Sequence, residues 1–335
     1  MKTPTGNPRQ NILLGLFVIL ALFTFVSSAW AAAARTKIIV VVPHRILFTV
    51  ALPVYIAQEK GFYRENNVDV DAVFTRGGGE NVQAVVSGDA QIGLGTGTLA
   101  VISAFVKKAP IKIAGAEITG MDAFWYVQSN TPMRKIEDLA GKKVAYSRPG
   151  SSSHMAVMAI ADQIKAKGLK PAEPVSLGGI PEVYTAVRTG QADSGWSVAP
   201  FQLDLVEKGV LRVVVKGDEI AAMKEITPRV HFINNDFAAK NPDAVRGFFR
   251  AQQRALDYMF EHKEETAKIW IRRAEMKYPE AAVLRTWDYY NRAAMTLKPI
   301  RGLQATIEDG IRNKFLAQPL TQAEVNSLID LSYLP

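Results

Sequence analysis

The 335-residue sequence contains no cysteine, and this single absence removes several classes of function. Disulfide frameworks, thiolate metal sites, cysteine nucleophiles and lipoprotein anchoring all need a thiol. Histidine is scarce, with four in the whole chain. Without cysteine or clustered carboxylates they form no metal-ligating pattern, so neither metal nor cofactor is expected. No HExxH helix, phosphate-binding P-loop or G-x-S-x-G elbow occurs, which leaves enzymatic readings poorly supported. Long runs of basic residues are missing as well. The 40 Lys and Arg outnumber the 32 acids and give a formal net charge of +8, but they are scattered and never interleave with aromatics. That argues against nucleic acid and leaves an affinity for acidic ligands.

What is present begins with a targeting pattern. Lys2 and Arg9 precede an apolar run from Ile12 to Val26, and small residues follow up to Ala29, Trp30 and Ala31. This is the order of a cleavable signal peptide, expected over residues 1–31. The run falls short of the roughly 20 residues that span a bilayer as a helix. A globular protein, exported to the periplasm without a lipid anchor, is expected to follow.

From Lys37 onward the pattern alternates strand and helix. Ile38 to Val42 is a continuous apolar strand of the kind covered on both faces in a parallel sheet. Helix is expected over Leu52 to Glu59, strand over Val68 to Phe74, helix over Glu80 to Ser87, and a short strand from Ile92 into a turn at Gly95 to Thr98. A second unit starts at Lys143. With an offset of 102, Val73 to Gly93 matches Val175 to Gly195 at eight of twenty-one positions, including Gly77 with Gly179, Gly88 with Gly190 and Gly93 with Gly195. Recurring glycines where helices stop and strands start imply two α/β lobes. The first lobe is expected over 35–119 and 230–335, including C-terminal helices, and the second over 120–229. Hinge crossovers are expected near Gly120 to Gln128 and Arg229 to Asn235. Lobes joined in this way close around a ligand.

The strongest candidate site is the strand-to-helix turn Pro149, Gly150, Ser151, Ser152, Ser153, His154. Free backbone N–H groups and three hydroxyls there suit a carboxylate, sulfonate or phosphate, although one serine is expected to act as an ordinary N-cap. Thr96, Gly97 and Thr98 form the corresponding turn of the first lobe, with threonine capping as the competing role. Trp196 offers either an aromatic wall to the cleft or core packing. His44 and Arg45 follow the first strand, where a lobe presents ligand contacts, and Arg45 suits a bidentate acidic group. His231 and His262 have structural surroundings.

The segment Pro53 to Tyr63, the Gly77 to Glu80 turn, the Ser87 to Ala90 step, Gly141 to Val144 and the Pro149 to His154 loop resemble the periplasmic solute-binding proteins of nitrate, sulfonate and taurine ABC importers, over about Lys37 to Phe260. The resemblance implies a two-lobed α/β fold, the type II periplasmic binding fold with hinge crossovers, related to the thiamine-pyrimidine precursor proteins. It also implies capture of a small anionic solute and its delivery to permease and ATPase subunits, with the binding chain expected as a monomer. The matching loops are His44 to Leu47, Gly95 to Thr98, Ser151 to His154 and Trp196 to Pro200. Enzymes share the fold. Its pyrimidine-synthesising and desulfinase members use cysteine, and menaquinone-pathway members leave open a histidine base such as His44 or His154.

Overall fold

A computed structural model of the protein describes residues 35–335. The signal-peptide expectation lies outside the described residues. The chain runs β1 (Thr36–Pro43), α1 (Ala51–Glu59), α2 (Phe62–Glu65), β2 (Val68–Thr75), α3 (Gly78–Ser87), β3 (Ile92–Gly97), α4 (Thr98–Val106) and β4 (Ile111–Ile118). It continues through β5 (Phe124–Gln128), β6 (Lys143–Tyr146), α5 (Ser152–Lys165), β7 (Glu173–Ser176), α6 (Ile180–Arg188), β8 (Gly195–Ser197), α7 (Leu203–Glu207) and β9 (Leu211–Lys216). After β10 (Arg229–Asn234) it is mainly helical: α8 (Asn235–Lys240), α9 (Pro242–Glu261), α10 (Lys263–Ala274), α11 (Glu280–Leu284), α12 (Leu303–Arg312) and α13 (Gln322–Leu328). Thr321 and Glu324 form the expected capping box of α13.

The first sheet has the order β2-β1-β3-β10-β4, with β10 antiparallel to both neighbours. In the second lobe β6 pairs in parallel with β7, and β5 lies antiparallel between β8 and β9. A parallel bridge between Val144 and Ser194, with Ala145 N–H donating to Ser194 O at 2.8 Å, joins these pieces into the order β7-β6-β8-β5-β9. The two lobes therefore repeat one topology, each with a single antiparallel strand next to its third parallel one. Both belong to one compact unit, Thr36–Pro335. This is the α/β, two-lobed periplasmic binding protein fold of type II.

The internal repeat has a packing cause. Gly77 and Gly179 stand at the N-caps of α3 and α6, and Gly88 and Gly190 follow those helices with left-handed φ of 87° and 77°. A side chain at either of the last two positions is strained. Gly93 and Gly195 lie in β3 and β8 beneath an aromatic ring of the antiparallel neighbour. A Cβ on Gly93 would run into the Phe232 ring, and one on Gly195 would come within 2.7 Å of the Tyr126 ring.

The crossovers differ from expectation. Phe124–Gln128 and Arg229–Asn234 are strands, so the crossing backbone lies just upstream, at 119–123 and 217–228. The β-branched and aromatic content of FWYVQ and RVHFIN pairs both segments into the sheets. The crossovers run side by side: Gly120 N–H donates to Ile226 O at 2.9 Å, and a Cβ on Gly120 would lie 3.3 Å from Lys224 O. The C-terminal helices secure the loop after β1. The Phe48 ring stacks on Tyr290 at 4.5 Å and meets Trp287 edge-on at 4.9 Å, with Phe260 and Trp270 completing the cluster.

Candidate functional site

The carboxyl ends of β1, β3, β6 and β8 converge on a cavity of about 230 Å³ between the lobes, where α/β sheets place ligands. Its walls mix apolar groups (Leu47, Met121, Trp196, Val198) with polar ones that point inward. Two helix N-termini open onto it. Gly77, Gly78 and Gly79 begin α3 on one side, and Ser151, Ser152 and Ser153 begin α5 on the other. The first N–H groups of a helix have no intrahelical acceptor and carry a partial positive charge.

The serines divide into distinct roles. Ser151 is the N-cap of α5 and accepts from His154 N–H at 3.2 Å. Its hydroxyl and that of Ser153 both bond to Ser147 Oγ at 2.9 Å, and Ser153 Oγ accepts from Ser147 N–H at 3.0 Å. Ser147, absent from the candidates read in the sequence, therefore ties the turn together. Ser152 lines the cavity with no such engagement of its hydroxyl. His154 does not line the cavity. It is buried against Tyr146, with ring centroids 4.2 Å apart, and its Nδ1 accepts from Gly150 N–H. Burial lowers its pKa, so it stays neutral and structural.

The first-lobe turn also departs from expectation, because β3 extends through Gly97 and α4 starts at Thr98. Gly95 and Gly97 reach the cavity, whereas the Thr96 and Thr98 hydroxyls turn inward. Thr96 Oγ1 accepts from Asn81 Nδ2 at 3.2 Å, and Thr98 Oγ1 donates to Thr227 O at 2.6 Å. At Gly97 the lobes approach closely across the cavity: a Cβ there would lie 2.9 Å from Gly150 O and 3.2 Å from Ser152 N.

His44 lines the cavity in a left-handed conformation, φ 64°, with its ring against Gly179 of the other lobe. Burial lowers its pKa, opposed by Glu182 and Glu80. Arg45 turns away and pairs with Glu275 at 3.1 Å, 46% exposed, so the structure does not bring it to the site. Trp196 stands in the wall, 9% exposed, and its buried Nε1 donor has no partner among the described residues. His231 is structural as expected. Its Nδ1 accepts from Gly95 N–H, and burial with nearby Arg229 lowers its pKa to about 3.

Sequence reasoning missed the charges. Arg76 and Arg148 line the mouth of the cavity, and Arg229 and Asp122 line its floor. Arg229 donates from Nε to Glu117 Oε1 at 2.9 Å and from Nη2 to Asp122 Oδ2 at 2.8 Å. Thr49 Oγ1 donates to the same Glu117 oxygen at 2.5 Å. Burial works against the Arg229 charge, but Asp122 and Glu117 outweigh it and raise its pKa. Burial raises the Glu117 pKa, with Arg229 opposing. One signal was available in the sequence. Glu117 and Arg229 are charges at the ends of otherwise apolar strand segments, where burial requires a partner.

Residues 49–266 match the family model described as NMT1/THI5 like. The chain is 30% identical over 207 residues to the taurine-binding periplasmic protein of Escherichia coli (strain K12), covering 61% of this chain and 62% of that one. It is 23% identical over 233 residues to a 4-amino-5-hydroxymethyl-2-methylpyrimidine phosphate synthase of Candida albicans (strain WO-1), covering 64% and 65%. The chain thus spans under two thirds of these relatives' lengths. Among solved structures, the periplasmic aliphatic sulphonate binding protein SsuA from Escherichia coli superposes with a TM-score of 0.70 at 19% identity, covering 88% of this chain and 97% of that one. At that identity the likeness concerns the fold.

Proposed function

The chain belongs to the NMT1/THI5-like family, and from that premise we propose that it is the extracytoplasmic solute-binding component of an ABC importer. In this role it captures a small anionic organic solute, of the sulfonate, nitrate or carboxylate class, by closure of the two lobes over 35–119 with 230–335 and over 120–229. It then delivers the solute to a permease and its ATPase.

The observation that carries this reading is the pair of helix N-termini, α3 and α5, opening from opposite lobes onto one cavity. Each offers unpaired N–H groups, and Arg76 and Arg148 add positive charge at the mouth, so an anion held there bonds to both lobes at once. Such a ligand favours the closed form, because only that form supplies both sets of donors. The apolar wall suits a ligand with an organic body. The polar groups facing the cavity, hydroxyl, backbone N–H and carboxylate-bound guanidinium, hold charge rather than move protons. His44 and the Asp122 carboxylate are the exceptions among the cavity residues: burial lowers the His44 pKa, and Arg229 pairs with Asp122. The taurine-binding relative and the sulphonate-binding structural neighbour support the same direction.

Isothermal titration and thermal shift of the purified protein with alkyl and aryl sulfonates, nitrate and carboxylates test this reading. Saturable binding of at least one anion is expected, weakened about tenfold by Ser152→Ala, the magnitude of one charge-assisted hydrogen bond. Arg45→Ala is expected to leave affinity unchanged. Absence of binding across the panel, or turnover of any member, overturns the proposal.

A further inference from the structure

The His154 ring lies behind the serine turn rather than in the cavity. It is 8% exposed, held between the Tyr146 ring of β6, centroids 4.2 Å apart, and the Phe315 ring of the chain after α12, met edge-on at 5.3 Å. Two bonds tie it to the turn. Its backbone N–H donates to Ser151 Oγ at 3.2 Å, and its Nδ1 accepts from Gly150 N–H at 3.3 Å. Gly150 is the left-handed residue of that turn, φ 78°, and its carbonyl faces Gly97 across the cavity. Ser151, Ser152 and Ser153 follow it and line the cavity, so the backbone at Gly150 sets where their donors point.

A ring nitrogen that accepts a bond has a free lone pair, so the neutral His154 ring carries its proton on Nε2. Protonation adds an N–H at Nδ1, facing Gly150 N–H, and the bond that holds the turn becomes a repulsion. Tyr146 and Phe315 flank the ring, so relief comes from movement of the turn. Tyr146 is the titratable group that faces the ring. Phe315 and Gly150 bring no charge, Lys314 beside Phe315 is exposed, Arg148 lines the mouth of the cavity, and further along α5 and α12 Asp162 and Asp309 both pair with Arg312. Burial moves the titration of His154 below the ordinary 6.5, which keeps the turn intact at neutral pH.

We infer that His154 is a positioning residue for anion capture: its neutral ring holds Gly150 N–H and so aims Ser152 and the first N–H groups of α5 into the cavity, and its protonation weakens the grip on the anion. The inference rests on the anion-binding reading of the cavity. The sign of the pH effect separates it from other titrations. Protonating His44 or Asp122, which line the cavity, adds positive charge or removes negative charge and strengthens anion binding. His231 holds Gly95 N–H in the same manner as His154 holds Gly150, but its pKa is about 3.

Ethanesulfonate, benzenesulfonate, trifluoroacetate and nitrate stay ionised in mild acid and serve as probes, each titrated calorimetrically into the full-length protein, with circular dichroism confirming the fold at each pH. At least one is expected to bind at pH 7.5 and to bind about tenfold more weakly at pH 4.5, because one proton and the ligand exclude each other. His154→Asn keeps a side-chain oxygen that accepts from Gly150 N–H without titrating; it is expected to hold the pH 7.5 affinity within about threefold and to lose none of it in acid. His154→Phe keeps a flat ring without an acceptor and is expected to bind about fivefold more weakly at pH 7.5, the magnitude of one neutral hydrogen bond. Wild-type affinity that is flat or rises toward pH 4.5, an acid loss that persists in His154→Asn, or full affinity in His154→Phe overturns the inference and leaves the anion reading standing. No binding of any probe at pH 7.5 overturns both. The wild-type profile decides even if the variants fail to fold.

Discussion

The two lobes share a strand order and an internal repeat, yet they meet the cavity with different chemistry. The first lobe presents bare backbone, Gly77 to Gly79 and Gly95 to Gly97, above a buried ion cluster, whereas the second presents serine hydroxyls and an indole. Among the positions shared at the 102-residue offset, Gly93 and Gly195 lie where packing forbids a side chain, and Gly88 and Gly190 where a helix ends. Beyond the repeat the lobes diverge: Gly95, Thr96 and Gly97 correspond to Ser197, Val198 and Ala199.

The largest expected effect strikes the shared scaffold. Gly93→Ala and Gly195→Ala each force a methyl group against an aromatic ring and should each destabilise by about 1–3 kcal/mol, read as the denaturant midpoint. Gly93 should suffer more, because a Cβ there would overlap the Phe232 ring more deeply than one on Gly195 overlaps the Tyr126 ring. A neutral result at either site breaks the equivalence of the lobes. Next is Gly97→Ala, whose methyl would press on Gly150 O across the cleft. Here the lobes should part in behaviour, with stability nearly unchanged and anion affinity down about tenfold, roughly 1.4 kcal/mol. Calorimetry on the folded variant gives the answer, and full affinity would show that the observed approach of the lobes is not the bound one.

Acid should weaken the first lobe through a buried histidine. The His231 pKa is about 3 in the folded protein against an ordinary 6.5, so between those values the unfolded chain holds a proton that the folded chain lacks. Stability therefore rises with pH across that window and is lost on acidification, by on the order of 1 kcal/mol between pH 7 and 5. Thermal midpoints of wild type and His231→Gln should converge as pH falls, and parallel profiles would remove His231 as the cause. The smallest effect distinguishes neighbouring serines: Ser151→Ala should cost about 1 kcal/mol as a lost cap, and Ser152→Ala under about 0.5 kcal/mol.

Much of this architecture was legible in the sequence, because it depends on local patterns. The Ile38 to Val42 run, the glycine stops and the Thr321 capping box each carry a short-range signal that tertiary structure preserved. The polar turn before α5 could be read for the same reason. Hydroxyl direction could not: Thr96 and Thr98 belong to the correct segment, but their oxygens satisfy Asn81 and the Thr227 carbonyl, partners 15 and 129 residues away. Arg45 failed as a candidate because Glu275, far along the chain, claims it. The Glu117, Asp122 and Arg229 cluster gathers residues from β4, a crossover and β10, and no local pattern announces such a meeting.

The position of β10 carries a further consequence, for the order in which the chain takes shape during synthesis. Every strand of the second sheet lies within residues 124–216, so that half can assemble as soon as its own stretch emerges. The first sheet needs β10 wedged between β3 and β4, and therefore waits until residue 234 is made. The amino-terminal strands are thus the earliest to leave the ribosome and among the last to be completed, and long-range closure of this kind is slow. The nascent chain remains an open sheet edge for more than a hundred residues of elongation, a long interval for any factor that must hold it unfolded.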